Sequence, residues 1–406
     1  MNAVAVKKDL FWIGSVNFGC LDFHGYSLAP RGTTYNCYVL KDQKNVLFDT
    51  VQAPHTEEML TRLKQVIEPE KIDYIVANHL EPDHAGVLPE LVKICRPEKI
   101  FCSVMGEKSM RGYFNTEGWP VQTVKTGDVV NTGAHNIHFV ETRMLHWPDS
   151  MFSYIPEERL VISNDAFGQN IASSERFADE LNRAALIHGI EEYYYNIVLP
   201  FSPQVLKTLD MIAGLKLDIE MIAPDHGLIF RNKDDVDFIL KKYRELAEQK
   251  PGKKALICYD TMWHSTEKLA YHVGCGLEEA GVPYRIMPLK NHHHSEIMTE
   301  LAGCGAVVAG SPTHNNGIMP AVSAVLTYMK GLRPQNRIGG AFGSFGWSGE
   351  AVKVITEYLE AMRMEIPGQA VKCAYRPAPG DLEAAAALGR TIGKALTAKC
   401  EDLRHP

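Results

Sequence analysis

The chain has 406 residues, which is more than one ordinary hydrophobic core needs and predicts two domains. A composition of 45% hydrophobic and 22% charged residues is typical of a globular protein and argues against disorder. The net charge of −7, with no basic stripe, argues against nucleic-acid binding. No apolar run reaches about 18 residues, so no membrane span is expected.

The nine cysteines are scattered along the chain, and none of them forms a CxxC pair. This odd and dispersed set predicts neither a disulfide framework nor a four-cysteine metal site. We interpret most of them as small core residues. Because no long apolar stretch follows the first lysines, we also expect no secretory signal and a cytoplasmic location.

A linker is predicted at residues 249–254, where Pro251-Gly252 is flanked by lysines. It separates a first domain, residues 1–250, from a second, residues 251–406. Before the linker, short strands alternate with turns and occasional helices, which predicts a layered α/β domain. These predicted elements are strands 45–49, 72–77, 99–103, 137–141, 160–163 and 220–223, with a helix at 56–65. After the linker, strands at 255–259, 306–309 and 338–342 alternate with helical patterns, which predicts a doubly wound parallel sheet.

Potential metal ligands are concentrated directly after the predicted strand 72–77. Four of them fall within six residues: His79, Glu81, Asp83 and His84. They cannot share one helix face, but they can converge on a loop that leaves the end of a strand. Three more follow other strand-like segments: His146, Asp165 and His226.

Seven ligands exceed what one tetrahedral zinc ion uses, so this set predicts two metal ions. Asp165 is the candidate bridge, because it stands alone between two histidine motifs. The first motif reads HxExDH and resembles the HxHxDH of metallo-β-lactamase hydrolases. Glu81 replaces an imidazole by a hard oxygen donor, which favours redox-active iron over zinc. Any one of these residues alone is more often structural, but the ordered set is not.

Three polar loops, two of which contain glycine, follow predicted strands of the second domain, and one of them opens a helix. Such loops at the carboxyl ends of parallel strands are typical of a flavodoxin FMN site, with the first loop holding the phosphate. Neither GxGxxG nor a P-loop motif occurs. Each loop alone is equally compatible with a simple turn. The candidate cofactor contacts are Thr261, Met262, Trp263, His264, Ser265, Thr266, Ser311, Pro312, Thr313, His314, Asn315, Asn316, Gly317, Ser344, Phe345, Gly346, Trp347, Ser348 and Gly349.

The motifs HLEPDHAG, LHWPDSMF, SNDAFGQN and APDHG resemble those of the flavodiiron proteins (A-type flavoproteins) over nearly the entire chain. The resemblance implies an α/β fold with an N-terminal metallo-β-lactamase-like αββα domain and a flavodoxin-like domain, one FMN and two iron ions. It assigns the first iron to His79, Glu81 and His146, the second to Asp83, His84 and His226, and the bridge to Asp165. It also places His24, Tyr26 and Tyr194 in the catalytic pocket, where plain packing is the alternative.

The activity implied is four-electron reduction of O2 to water, with rubredoxin or a similar small protein as electron donor. The family places the FMN of one subunit beside the diiron site of another in a head-to-tail homodimer, alone or as a dimer of dimers. Lys330, Arg333 and Arg337 are candidates for docking the donor, or else a solvated basic face. Three alternatives remain: reduction of NO to N2O at the same site, a dinuclear zinc hydrolase fused to a flavodoxin domain, and a non-catalytic electron carrier.

Overall fold

The computed structural model describes residues 2–402, which fall into two compact units. The first unit comprises the chain up to Gly25, then Ala29–Tyr193 and Phe201–Ala247. The second comprises Tyr26–Leu28, Tyr194–Pro200 and the chain from Glu248 onward. None of the described helices is both long and apolar enough to cross a membrane.

Strands and helices are numbered in chain order. The strands are β1 (Val4–Ala5), β2 (Leu10–Trp12), β3 (Ser15–Asn17), β4 (Asp22–Phe23), β5 (Ser27–Leu28), β6 (Thr33–Tyr35), β7 (Tyr38–Leu40), β8 (Val46–Phe48), β9 (Tyr74–Val76), β10 (Lys99–Ser103), β11 (Val121–Val124), β12 (Val129–Asn131), β13 (Asn136–Glu141), β14 (Met151–Ile155), β15 (Leu160–Ile162), β16 (Met221–Ala223), β17 (Ala255–Tyr259), β18 (Tyr284–Pro288), β19 (Ala306–Pro312), β20 (Ile338–Phe345) and β21 (Val371–Ala374). The α-helices are α1 (Thr56–Val66), α2 (Pro82–Ala85), α3 (Leu88–Cys95), α4 (Val104–Tyr113), α5 (Arg183–Tyr193), α6 (Ser202–Leu215), α7 (Lys233–Glu248), α8 (Ser265–Glu279), α9 (His294–Leu301), α10 (Pro320–Leu332), α11 (Ala351–Ala361) and α12 (Pro379–Asp402).

The first unit contains two mixed sheets. One has seven strands in the order β1-β2-β7-β8-β9-β10-β11, and the other has five in the order β12-β13-β14-β15-β16. Strands β8 to β11 run parallel, as do β15 and β16. The carboxyl ends of neighbouring parallel strands therefore meet at one edge of each sheet, where polar loops need not enter a core.

The sequence of β7 shows why the sheets stack. Its side chains alternate between two faces, as the pleat of a strand requires. Tyr38 and Leu40 lie in the core shared with the second sheet, whereas Val39 packs with the α1 residues Met59 and Leu63. Helices therefore cover the outer face of the first sheet.

The outer face of the second sheet is also covered. Phe152 of β14 lies 6.2 Å, ring centre to ring centre, from Phe167. The Phe167 ring in turn lies 4.6 Å from that of Tyr243 on α7. The predicted αββα arrangement of this domain is confirmed.

The second unit contains a five-stranded sheet in the order β18-β17-β19-β20-β21, and every pair in it is parallel. This is the order of a flavodoxin-like doubly wound sheet, with its switch point between β17 and β19. The predicted fold class is thus confirmed. Two predicted strands end too early, because β19 continues to Pro312 and β20 to Phe345. The glycine and serine residues of these extensions led us to predict loops. In the structure they continue the pairing of the two strands, so that Ser311 lies opposite Gly343.

Candidate metal centre and flavin site

All seven predicted metal ligands lie in the first unit and follow from its strand ends. The segment that begins at His79 leaves β9, Asp165 follows β15, and His226 follows β16. Pro82 occupies the first position of the short helix α2, where a missing N–H costs nothing. This short helix contains Asp83 and His84, and it follows His79 and Glu81 in the chain.

The ligands form two groups, and within each group one ligand atom per residue lies within 4.8 Å of the others. The first group is His79, Glu81, His146 and Asp165; the second is Asp83, His84 and His226. Asp165 links them, because its Oδ2 lies 2.9 Å from His146 Nε2 and its Oδ1 lies 2.9 Å from His84 Nε2. This is the position that a bridging carboxylate between two metal ions requires.

The donor set fits cations. The Oδ2 of Asp83 and the Oδ1 of Asp165 are buried and lie 3.3 Å and 2.9 Å from His84 Nε2. The residues Asp83 and Asp165 are each only 3% exposed. Carboxylates excluded from water are costly unless a positive charge pairs with them, and a bound metal ion supplies that charge. Mixed imidazole and carboxylate donors suit iron.

The electrostatics agree with this fit. Burial opposes ionisation of Asp165, but the charges of His84 and His226 outweigh it and hold the pKa of that carboxyl well below its usual range. Burial likewise opposes protonation of His79, but hydrogen bonds to Asp149 and Glu81 raise its pKa well above the usual value. The carboxylates thus draw positive charge into the cluster, a role that metal ions fill when bound.

Among the three residues predicted for the catalytic pocket, the structure brings His24 to the cluster. Its Nδ1 lies 3.4 Å from Glu81 Oε1 and its Nε2 lies 3.4 Å from Asp83 Oδ2. Burial opposes protonation of His24, but hydrogen bonds to these two carboxylates raise its pKa to about 10. Tyr26 and Tyr194 belong to the second unit, so their place in the pocket stays a prediction.

Sequence reasoning missed Tyr193, the last residue of α5. Its ring lies 5.7 Å from that of His226, and its buried hydroxyl has no partner among the described residues. Burial first, and then the charge of Asp165, raise its pKa well above the usual value. The run Tyr193-Tyr194-Tyr195 contained the signal, but a step of one residue turns a helix by about 100° and changes which tyrosine faces the ligands.

A cavity of about 700 Å³ in the second unit lies at the carboxyl ends of the parallel strands. Its volume is within the usual range for small-molecule sites, roughly 300–1,000 Å³. All three predicted loops contribute to it. The predicted residues that line it are Met262, Trp263, Ser265, Pro312, Thr313, Asn315, Asn316, Ser344, Phe345, Gly346, Trp347 and Ser348.

Exposed aromatic rings border this cavity. Trp263 is 86% exposed, Trp347 is 89% exposed, and Tyr375 is 71% exposed. Large apolar rings left in water favour a flat ligand that covers them, as an isoalloxazine does. Tyr375 was missed, although it follows β21 and its carbonyl oxygen accepts a hydrogen bond of 2.7 Å from Ser265 Oγ.

Seven predicted contacts do not line the cavity: Thr261, His264, Thr266, Ser311, His314, Gly317 and Gly349. Several of them shape the loops instead. The hydroxyls of Thr266 and Ser344 lie 2.9 Å apart, and Ser311 Oγ accepts a hydrogen bond from the Met319 N–H. The buried Thr261 Oγ1 has no hydrogen-bond partner among the described residues, and its predicted contact with the phosphate stays a prediction.

The basic residues considered for donor docking lie elsewhere in the second unit. Lys330 and Arg333 end α10, which leads into the amino end of β20, so they lie at the sheet edge opposite the cavity. Arg337 is only 2% exposed and donates hydrogen bonds to Gln249 O and Tyr195 Oη. The docking interpretation is wrong for Arg337, which stabilises the interior.

We predict that His79→Ala lowers iron content by about half or more, because metal affinity depends on each ligand of a site. Flavin absorbance should stay intact, since the FMN cavity belongs to the other unit. Metal analysis measures the iron content, and the visible absorption spectrum measures the bound flavin. The matched control is His188→Ala, at an exposed histidine of α5. Equal loss of iron and flavin would contradict two separate sites, and two zinc ions without iron would favour a hydrolase.

We predict that Trp347→Ala raises the Kd for FMN roughly five-fold, because ring stacking contributes about 1 kcal/mol. Fluorescence titration of the apoprotein with FMN measures this change. Tyr271→Ala serves as control, since Tyr271 is 52% exposed but does not line the cavity. An unchanged affinity and an unchanged flavin midpoint potential would exclude the stacking role of Trp347.

Comparison with known proteins bears on both units. A family model described as ODP family beta lactamase matches residues 33–227, and a flavodoxin model matches residues 257–389. The chain is 50% identical to the rubredoxin-oxygen oxidoreductase of Megalodesulfovibrio gigas, over 98% of this chain and 99% of that protein. It is 41% identical to the nitric oxide reductase of Moorella thermoacetica, over 96% of this chain and 98% of that one.

Solved structures give the same relationship. The rubredoxin oxygen:oxidoreductase of Desulfovibrio gigas matches with a TM-score of 0.97 at 50% identity, over 98% of this chain and 99% of that chain. The flavodiiron protein of Giardia intestinalis matches with a TM-score of 0.94 at 29% identity, over 99% and 98%. Sequence, domain order and fold agree along almost the whole length, and this chain therefore belongs to the flavodiiron protein family.

Proposed function

We propose that this chain is an oxidoreductase that reduces O2 to water at a non-haem diiron site, with electrons that pass from rubredoxin through FMN. The observation that carries this proposal is Asp165, whose two oxygens face two separate groups of ligands. A pair of metal ions bridged in this way suits chemistry on a small molecule held between them. The exposed aromatic rings around the second cavity support FMN as the electron source.

The ligand residues hold the metal pair and keep it away from bulk water. His79, His84 and His226 are each no more than 1% exposed. His226 is held from behind, because the Thr34 carbonyl oxygen lies 2.7 Å from its Nδ1 and accepts the ring proton. That bond leaves Nε2 free to bind metal.

When bound, the iron pair and the flavin supply the redox chemistry, in which O2 takes up four electrons and four protons to give two waters. The side chain of His24 is 27% exposed, whereas that of Asp83 is 3% exposed, so His24 borders the solvent side of the cluster. With one nitrogen near Glu81 and the other near Asp83, it is placed to carry a proton between solvent and the ligands.

A second activity is reduction of NO to N2O on the same ligands. It is favoured by the 41% identity to a protein named nitric oxide reductase. Both gases bind ferrous iron, so the ligand set itself does not choose between them. We favour O2, because identity to the protein named rubredoxin-oxygen oxidoreductase is higher, at 50%.

The proposed function predicts that, with the same rubredoxin as electron donor in both assays, the protein consumes O2 faster than NO in steady state. Asp165→Ala should abolish both activities, because it removes the residue that links the two groups of ligands. Oxygen and NO electrodes follow the two gases, and electrons consumed per O2 are counted from rubredoxin oxidation. Preferential turnover of NO would reverse the choice of substrate. Undiminished O2 consumption by an iron-depleted Asp165→Ala protein would disprove the diiron proposal.

We also propose that the protein forms a head-to-tail homodimer in which the FMN of one subunit serves the diiron site of the other. This rests on the resemblance to the flavodiiron family and on the two cofactor sites belonging to different units.

A complementation experiment tests the pairing. His79→Ala subunits lack a metal ligand, and Trp347→Ala subunits bind FMN more weakly, so each homodimer should be weakly active when FMN is limiting. Mixed dimers unfolded and refolded together should regain activity, because one intact FMN then faces one intact diiron site. Light scattering measures the mass, and O2 consumption measures the recovery. A monomeric protein, or mixed dimers no more active than the sum of the parents, would contradict this arrangement.

A further inference from the structure

The two groups of metal ligands are matched in their donors. Each has two histidines and one carboxylate of its own, namely His79, His146 and Glu81 in the first and His84, His226 and Asp83 in the second. Each also shares one oxygen of Asp165. With equal donors around the two positions, any difference between them has to come from the groups behind the ligands.

The groups behind three of the histidines are unequal. The Nδ1 of His79 lies 3.0 Å from a carboxylate oxygen, Asp149 Oδ2. The Nδ1 of His226 lies 2.7 Å from a neutral acceptor, the Thr34 carbonyl. The Nδ1 of His84 has no hydrogen-bond partner among the described residues, and its nearest acidic oxygen, on Asp225, lies 3.7 Å away.

Asp149 is itself held rigidly. Its Oδ2 also accepts a hydrogen bond of 2.7 Å from the Leu80 N–H, and its main-chain carbonyl accepts one of 2.8 Å from Ser103 Oγ. Both Asp149 and His79 are 0% exposed. The carboxylate therefore fixes the ring of His79 and the backbone that follows it with one oxygen atom.

From this geometry we infer that Asp149 is a positioning residue for His79 and makes the two iron positions unequal. Its carboxylate accepts the Nδ1–H of His79, keeps Nε2 unprotonated and directed at the metal, and increases the electron donation of the ring. The iron held by His79, Glu81 and His146 is consequently the more tightly bound and the more readily oxidised of the pair. The inference rests on the proposed diiron site and adds an ordering of its two irons.

The variant that isolates this effect is Asp149→Asn. Asparagine keeps the shape and an acceptor oxygen for the Leu80 N–H and His79, but it removes the negative charge. Loss of such a supporting group typically lowers metal affinity by about 10- to 100-fold. We therefore expect one iron, and only one, to be released to a chelator at least about 10-fold more readily. Asp42→Asn is the matched control, because Asp42 Oδ2 lies 2.8 Å from the Nδ1 of His135, a histidine outside the groups of metal ligands.

Mössbauer spectra of the diferrous protein, reconstituted with enriched iron, identify which position changes. The doublet altered in Asp149→Asn should be the one lost in His79→Ala and retained in His226→Ala. In a redox titration followed by EPR, the midpoint potential of this iron should rise. A merely structural role would change both doublets together.

Equal weakening of both irons, or an Asp149→Asn protein indistinguishable from the parent, would overturn the inference. Failure of the proposed function is a different result, since the parent protein would then hold no coupled iron pair. If Asp149→Asn does not fold, Asp149→Ser leaves room for water beside His79 Nδ1 and carries the same expectation for the same doublet.

Discussion

The interaction on which the first unit depends is repulsion among carboxylates that its fold removes from water. Five aspartates lie in or directly behind one cluster of histidines, and none is more than 3% exposed: Asp49, Asp83, Asp149, Asp165 and Asp225. Buried like charges are tolerated only beside cations or as neutral acids. Burial accordingly raises the pKa of Asp49 to about 6. Metal binding and folding of this unit are therefore coupled, because the ions satisfy groups that the fold has already desolvated.

Strand polarity makes this concentration of charge possible. In both units the chemistry lies where parallel strands end, while the strands themselves are apolar. Six of the seven predicted metal ligands follow β9, β15 and β16, whereas His146 lies between the antiparallel strands β13 and β14. The predicted FMN loops follow β17, β19 and β20. The apolar strands form the hydrophobic core, and this core holds the short polar loops at the strand ends in place. The two cofactors, although chemically unrelated, are placed by the same geometric rule.

The assignment of the seven metal ligands stays a prediction, but the structure brings their side chains together, as the ordered set of histidines and carboxylates led us to expect. The sequence did not predict that Tyr193 lies beside His226, because the rotation of α5 decides which of its side chains faces that ring. Nor did it predict Asp149, which lies in the motif LHWPDSMF but acts through contacts with His79 and Leu80 distant in sequence. Tyr375 was missed for a third reason, because aromatic residues at strand ends are usually core and this one is exposed.

The second unit is built from three separate stretches of the chain, which affects how chimeras of such proteins can be constructed. Its residues from Glu248 onward are completed by two distant stretches, Tyr26–Leu28 and Tyr194–Pro200. Tyr328 Oη donates a hydrogen bond of 2.9 Å to Asn196 Oδ1, and the Leu28 N–H donates one of 3.1 Å to Ser295 Oγ. A chimera joined at a single point near residue 248 would bring these partners from different parents. Productive shuffling has to transfer all three stretches together or restore their pairing at each seam.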